Sequence, residues 1–338
     1  MYYSAFLRTL LYKLIFAIFL MLSIPAFSET FHITKPKFDL ILQKAKQGDA
    51  AAQFALGLIY KYGLGVTQDY AEALKWYRLA AAQGDAGARY KLGLMYYNGQ
   101  GVIKNYSEAI KWYRLAAAQG YEEAQINLGI MYANGQGVTQ DYAEALKWYR
   151  LAETQGNAAA QYNLGYMYYE GKGVVKDYAE AVKWFRRSAE QGAADAQYNL
   201  GIMYENSLGV TQDYAEALKW YRLAAAQGEA RAQANLGVLY ASGDGITQDY
   251  VHALMWSDIG ARNGNADAVT NQDIYSKQMT SQQIAEAHAM TKTCLTSNYR
   301  NCGDNQGSHK HTTTKSKPQK TIAKRTEPSI NDPLNIRD

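Results

Sequence analysis

Histidines and cysteines are few in this sequence, and its many acidic and basic side chains form no recognisable catalytic set. Histidine occurs at His32, His252, His288, His309 and His311, and none stands on the chain's recurrent pattern beside an acid and a nucleophile. Hydroxyl and thiol catalysis needs a base poised on its nucleophile, and no such set is legible. Ser-x-x-Lys and Lys-Thr-Gly, the marks of a serine acylation centre, do not occur. His309-Lys310-His311 could hold a metal loosely, or is simply part of a basic tail. No catalysis, cofactor or metal centre is expected.

Cys294 and Cys302 bracket a polar segment that a disulfide could close. A loop this small adds at most about 2–3 kcal/mol. The pairing suits an oxidising compartment.

The best candidates for recognition are polar residues in register. Asn127, Asn163, Asn199 and Asn235 recur 36 residues apart, with Lys91 one period earlier. Tyr90, Tyr162 and Tyr198 flank them, beside an apolar row of Leu58, Leu94, Ile130, Tyr166, Ile202 and Val238. An amide donates and accepts at once, so a ladder of amides can grip a peptide backbone without reading its side chains. With helices roughly 9–10 Å apart, an extended segment would meet one asparagine about every third residue. The other reading is that the asparagines bond to neighbouring helices and the apolar row packs between repeats. On the ladder reading, exchanging Asn127, Asn163 and Asn199 together for alanine spares the fold.

What positions these residues is a repeat. Gly48, Gly84, Gly120, Gly156, Gly192, Gly228 and Gly264 are spaced 36 apart without a slip, and so are Trp76, Trp112, Trp148, Trp184, Trp220 and Trp256. Self-similarity at this period marks stacked supersecondary units. In the copy from Gly120, a first helix (helix A) is predicted from Glu122 to Asn134, with Ala124, Gln125, Leu128, Met131 and Tyr132 on one face. Gly135-Gln136-Gly137 ends it, the first glycine suited to a left-handed cap. A second helix (helix B) starts at Asp141, with Glu144 three residues on, a capping-box spacing. Its stripe is Tyr142, Ala145, Tyr149 and Ala152, with Trp148 at the edge. The last copy has His252 in place of that glutamate, which predicts a weaker first turn.

The predicted organisation is a signal peptide at 1–28, a capping helix within 29–47, and six repeats over 48–263. C-terminal capping helices with the cysteine pair follow at 264–306, where the period is lost, then a disordered basic tail at 307–338. Arg8 and Lys13 precede an apolar run from Leu14 to Ile24, and Ala26-Phe27-Ser28 offers a cleavage site. That run is too short for a bilayer, which needs about 20 residues. The mature protein is expected to be periplasmic or secreted. The tail holds seven Lys and Arg against three acids, which equals the whole chain's net charge of +4, so the folded part is balanced and is not a basic nucleic-acid binder.

These residues closely resemble the Sel-one-like repeat, a subfamily of the tetratricopeptide repeats. The resemblance rests on Ala124-Gln125, Leu128-Gly129, Tyr132, Gly135-Gln136-Gly137, Ala145 and Trp148-Tyr149, and on their counterparts in every copy. It implies an all-α, right-handed solenoid of antiparallel helix pairs, with helix A lining the concave side. It also implies an adaptor that binds protein partners and, in exported bacterial members, an envelope scaffold that in some cases supports host-cell contact. A polysaccharide or peptidoglycan interactor is the alternative. Some cysteine-rich relatives are described as β-lactamases, but those carry a cysteine pair in each repeat and this chain has two cysteines in all. Two departures stand out: Ser207 occupies a turn-glycine position, and Ser257 replaces the aromatic after Trp256.

Overall fold

A computed structural model describes residues 33–302. The expected signal peptide and the whole of the expected basic tail lie outside them. The described residues form fifteen helices and fall into two compact units, one ending at Gln155 and one starting at Gly156.

The first unit holds α1 (Lys35–Lys46), α2 (Ala50–Tyr62), α3 (Tyr70–Ala82), α4 (Ala86–Asn98), α5 (Tyr106–Ala117), α6 (Glu122–Asn134) and α7 (Tyr142–Glu153). The second holds α8 (Ala158–Glu170), α9 (Tyr178–Glu190), α10 (Ala194–Glu205), α11 (Tyr214–Ala225), α12 (Ala230–Ser242), α13 (Tyr250–Arg262), α14 (Ala266–Ser276) and α15 (Ser281–Thr296). In each, A and B helices alternate as an all-α repeat solenoid.

Local chemistry starts and stops these helices. Asp141 accepts from the Glu144 amide at 2.9 Å, and Asp69, Asp177 and Asp213 cap their B helices in the same way. The glutamates do not close a reciprocal box. Glu144 instead takes the Lys147 ammonium at 2.8 Å, as Glu180 takes Lys183. His252 does not weaken its turn, because its Nδ1 lies 2.8 Å from the capping Asp249 and its ring stacks on Tyr240. The one complete capping box among the described residues is Thr280 with Gln283, at the start of α15.

Gly135 ends α6 in the left-handed region at φ 66°. Ser207 holds the equivalent position at φ 57°, a conformation that costs a side-chain-bearing residue about 1–2 kcal/mol. Ser207→Gly should therefore stabilise the chain by about 1 kcal/mol, read as a higher urea midpoint. An unchanged midpoint would mean that the Ser207 hydroxyl, which donates to the Val210 carbonyl at 3.1 Å, offsets the strain.

Two polar ties recur inside each unit. Buried glutamines on the A helices, such as Gln125 and Gln197, donate to the last-turn carbonyls of Ala117 and Ala189 at 3.2 and 3.1 Å. They also accept from Gln155 and Gln227 at the end of the following B helix, at 3.2 and 2.8 Å. These bonds satisfy carbonyls that a helix end leaves orphaned. The second tie runs from a B-helix arginine to a tyrosine hydroxyl on the next A helix: Arg78 to Tyr96, Arg114 to Tyr132, Arg186 to Tyr204 and Arg222 to Tyr240.

At the C-terminal end the second tie changes sign. Asp258 stands where five copies have arginine, is buried, and accepts from Gln272 at 2.7 Å and Thr291 at 3.3 Å, with His288 Nδ1 at 2.6 Å. Thr291 and His288 belong to α15, so this reversal fastens the terminal helix. The period also runs further than the sequence reading allowed. Asn265 caps α14 through the Ala268 amide, and Ala268 and Asn271 are fully buried one period after Ala232 and Asn235. α14 is thus a seventh A helix, and α15 alone leaves the pattern. Cys294, near the end of α15, is disulfide-bonded to Cys302, and Tyr299 in the closed loop accepts from Asn263 at 2.9 Å.

Candidate functional site

The eight residues singled out for partner binding are all buried, so the expectation of an open face along the A helices is corrected. In the first unit, Tyr90, Lys91 and Asn127 are 5–7% exposed. Tyr90 packs on Tyr113 of the same repeat and on Tyr121 of the next, with ring centroids 5.8 and 5.0 Å away, and the Lys91 ammonium sits 5.4 Å over the Tyr90 ring. In the second unit, Tyr162 and Tyr198 lie against Phe185 and Tyr221 at 5.6 and 5.8 Å. Asn199 donates to the Tyr162 hydroxyl at 3.3 Å, and Asn235 to the Tyr221 hydroxyl at 3.2 Å. Burial pushes the Tyr162 and Tyr198 hydroxyls well above the ordinary phenol range.

The physical reason is that each A helix is walled on several sides at once. The apolar row that flanks the asparagines, from Leu58 to Val238, is at most 5% exposed. Asn127, Asn163 and Asn199 therefore sit where loss of the amide leaves a small cavity. Exchanging all three for alanine is now expected to lower the melting temperature rather than spare the fold.

The first turn of each A helix stays partly accessible, and here the repeats differ most plainly. The capping position reads Asp49, Asp85, Tyr121, Asn157, Ala193, Glu229 and Asn265. Two residues later it reads Ala51, Gly87, Glu123, Ala159, Asp195, Arg231 and Asp267. In the first unit, half-buried Tyr121 packs at a tilt against Tyr90, beside Asp85, Glu122 and Glu123. Burial raises the Asp85 and Glu123 carboxyls, the adjacent Glu122 adds to the effect on Glu123, and Lys91 opposes it. In the second unit, Arg231 bonds Glu229 at 2.7 Å and Asp195 at 3.2 Å, with its guanidinium 4.2 Å over the Tyr198 ring. Sequence reasoning passed over these residues. Their signal was available as departures from the grid at positions where the other copies carry alanine, glycine or a small cap.

The raised Glu123 carboxyl has a defined pH consequence. An acid whose folded pKa lies above its unfolded value stabilises the fold fully below the unfolded value, and loses that contribution as pH rises through the folded value. Ionised Glu123 thus burdens the fold at neutral pH. Glu123→Gln should melt above the wild type near pH 7 and with it well below pH 4.5, the ordinary glutamate value. Parallel calorimetric scans at both pH values check this, and a gain that persists in acid would assign it to packing.

Among the described residues no group of three or more His, Cys, Asp or Glu could hold a metal ion, and no helix is long and apolar enough to cross a membrane.

The model of the Sel1 repeat matches residues 50–85, 86–121, 122–157, 158–192, 194–229 and 230–265. Among solved structures, the chain is similar to a Sel1 repeat protein from Oxalobacter formigenes, at 34% identity over 70% of this chain and 96% of that one, with a TM-score of 0.60. It is also similar to c5321, a protective antigen of uropathogenic Escherichia coli with an SLR fold, at 28% identity over 83% and 76% of the two chains and a TM-score of 0.48. The immunity protein Pa5087 from Pseudomonas aeruginosa is 22% identical over 70% of this chain and 85% of that one, with a TM-score of 0.41. No curated protein matches the chain.

Proposed function

Because the chain belongs to the Sel1 repeat family, whose members generally mediate protein–protein interaction, we propose that it is a non-enzymatic scaffold holding a protein segment in the bacterial envelope or after export. The observation that carries this reading is the division of labour within the repeat. The alanine, leucine, glutamine and asparagine positions that recur on the A helices are buried and hold the array together, whereas the partly accessible first turns of the same helices differ from copy to copy. Selectivity for a partner has to come from positions that are both exposed and distinct.

The turn around Tyr121 is the recognition edge in this proposal. An aromatic ring there stands with three carboxylates, two of them raised by burial, and an incoming cation would relieve that cost. A segment bearing Lys or Arg beside an apolar residue fits. Contact with a host cell is one setting in which such a scaffold would act.

The test is a crosslinking pull-down with the chain from Glu29 onward, from envelope and medium fractions. It runs beside a variant carrying Tyr121→Asn and Glu123→Ala, the residues that the fourth copy has at these positions. A protein captured by the wild type and lost with the folded variant supports the proposal. Recovery of glycan alone, equal for both, overturns it in favour of a polysaccharide interactor.

A further inference from the structure

The connectors from helix A to helix B come in two kinds. In four copies the connector carries Thr67-Gln68, Thr139-Gln140, Thr211-Gln212 or Thr247-Gln248. Each glutamine amide donates to a carbonyl at the end of helix A, that of Lys61, Ala133, Glu205 or Ala241, at 2.7–2.8 Å. The second and fourth copies have Ile103-Lys104 and Val175-Lys176 instead. There the lysine ammonium lies over two tyrosines: Lys104 is 5.8 Å from the Tyr97 ring and 4.7 Å from Tyr106, and Lys176 is 5.6 Å from Tyr169 and 4.8 Å from Tyr178. Ile103 and Val175 are 91% and 88% exposed, far beyond any other large apolar side chain among the described residues.

Folding does not ask for this arrangement, since four sibling copies close the same connector with threonine and glutamine. The chemistry is an apolar β-branched tip, a cation beside it and tyrosines behind. A protein partner is a poor match. A stable interface buries about 800 Å² on each side around an anchor seated in a pocket. Here each tip stands alone among exposed polar neighbours such as Lys104 and Asn105, or Lys176 and Asp177. A bilayer, by contrast, surrounds whatever reaches it. Its acyl boundary takes an isolated apolar tip, its anionic phosphates attract the lysine, and tyrosine is at home at headgroup level.

We propose that the connectors at 101–105 in the first unit and 173–177 in the second are each, independently, peripheral membrane contacts, setting Ile103 or Val175 into an anionic bilayer surface with Lys104 or Lys176 at the phosphates. This stands apart from the protein-binding edge at Tyr121 and does not depend on it.

The experiment is co-sedimentation of the chain from Glu29 onward with phosphatidylcholine vesicles, with and without phosphatidylglycerol. Binding is expected to the anionic vesicles and to be weak on the neutral ones. The Ile103→Thr, Val175→Thr pair installs the sibling residues, should leave the helical circular dichroism intact, and should weaken binding about tenfold. The Lys104→Gln, Lys176→Gln pair, again sibling residues, should weaken it about thirtyfold on anionic vesicles. Threonine variants that bind as tightly as the wild type overturn the proposal. So does a wild type that binds neither vesicle, which would return the tips to a protein partner. Loss of binding only when Lys310, Lys315, Lys317 and Lys320 become glutamine would assign the contact to the tail and also overturn it.

Discussion

Trp256→Ala should cost about 3–5 kcal/mol, while the same exchange at Trp112 or Trp148 costs visibly less. The six tryptophans are equivalent in sequence, but Trp256 is the most fully sealed from solvent, at 1% exposure, ahead of Trp220 and Trp76 at 5 and 6%. It packs into the cluster that joins the last repeats to α15, with Leu254, Ile259, Tyr275 and Cys294 among its members. Trp112 and Trp148 are half-buried at the edges of their clusters. The indole nitrogen of Trp256 has no hydrogen-bond partner among the described residues, whereas that of Trp220 donates to Glu216 at 3.1 Å. Trp256→Phe should therefore be milder than Trp256→Ala, with only ring volume lost. Urea denaturation of the three alanine variants would decide, and equal losses at all three positions would sink the argument.

Gly129→Ala is expected to destabilise by about 2–3 kcal/mol, although alanine is the better helix former by about 1 kcal/mol. The sign is the test. Gly129 lies in the middle of α6, where glycine weakens an exposed helix. A methyl group there would meet the Tyr149 ring at 2.3 Å, and Tyr149 is fully buried on α7. The ring has nowhere to retreat, so α6 and α7 must separate. If the exchange raised the melting temperature instead, the seat would be softer than this packing implies. A double-mutant cycle with Tyr149→Leu adds a second reading: the two changes should be strongly non-additive, because a smaller side chain makes room for the methyl group.

The Leu-Gly pair of each repeat thus has a meaning that spacing alone does not disclose. A glycine between two helix-forming segments reads as a weak point, yet in the first five copies it is the socket for the aromatic that follows the tryptophan, and in the sixth it faces Ser257. The same lesson applies to Gln125 and its counterparts. They were legible as members of a helical face, but their role as ties between B-helix ends needs the neighbour's carbonyl in place. Asp258 was legible in principle, since an acid breaks a five-copy run of arginines. Its meaning still depended on α15 arriving with His288 and Thr291.

The sequence by itself determined the period, the order of helix pairs, the caps at Asp141 and Gly135 and the pairing of Cys294 with Cys302. Each of these is settled within one repeat or one short loop, where residue type and spacing act directly. Only the tertiary structure decided which faces are open. A row such as Asn127, Asn163, Asn199 and Asn235 looks the same on a helical wheel whether it meets solvent or another helix. Within each unit an A helix packs against its own B helix and against neighbouring helices of the stack, and that enclosure buried the row. Among what stayed at least partly outside were the first turns and the connectors, where side chains differ from copy to copy without disturbing the stack.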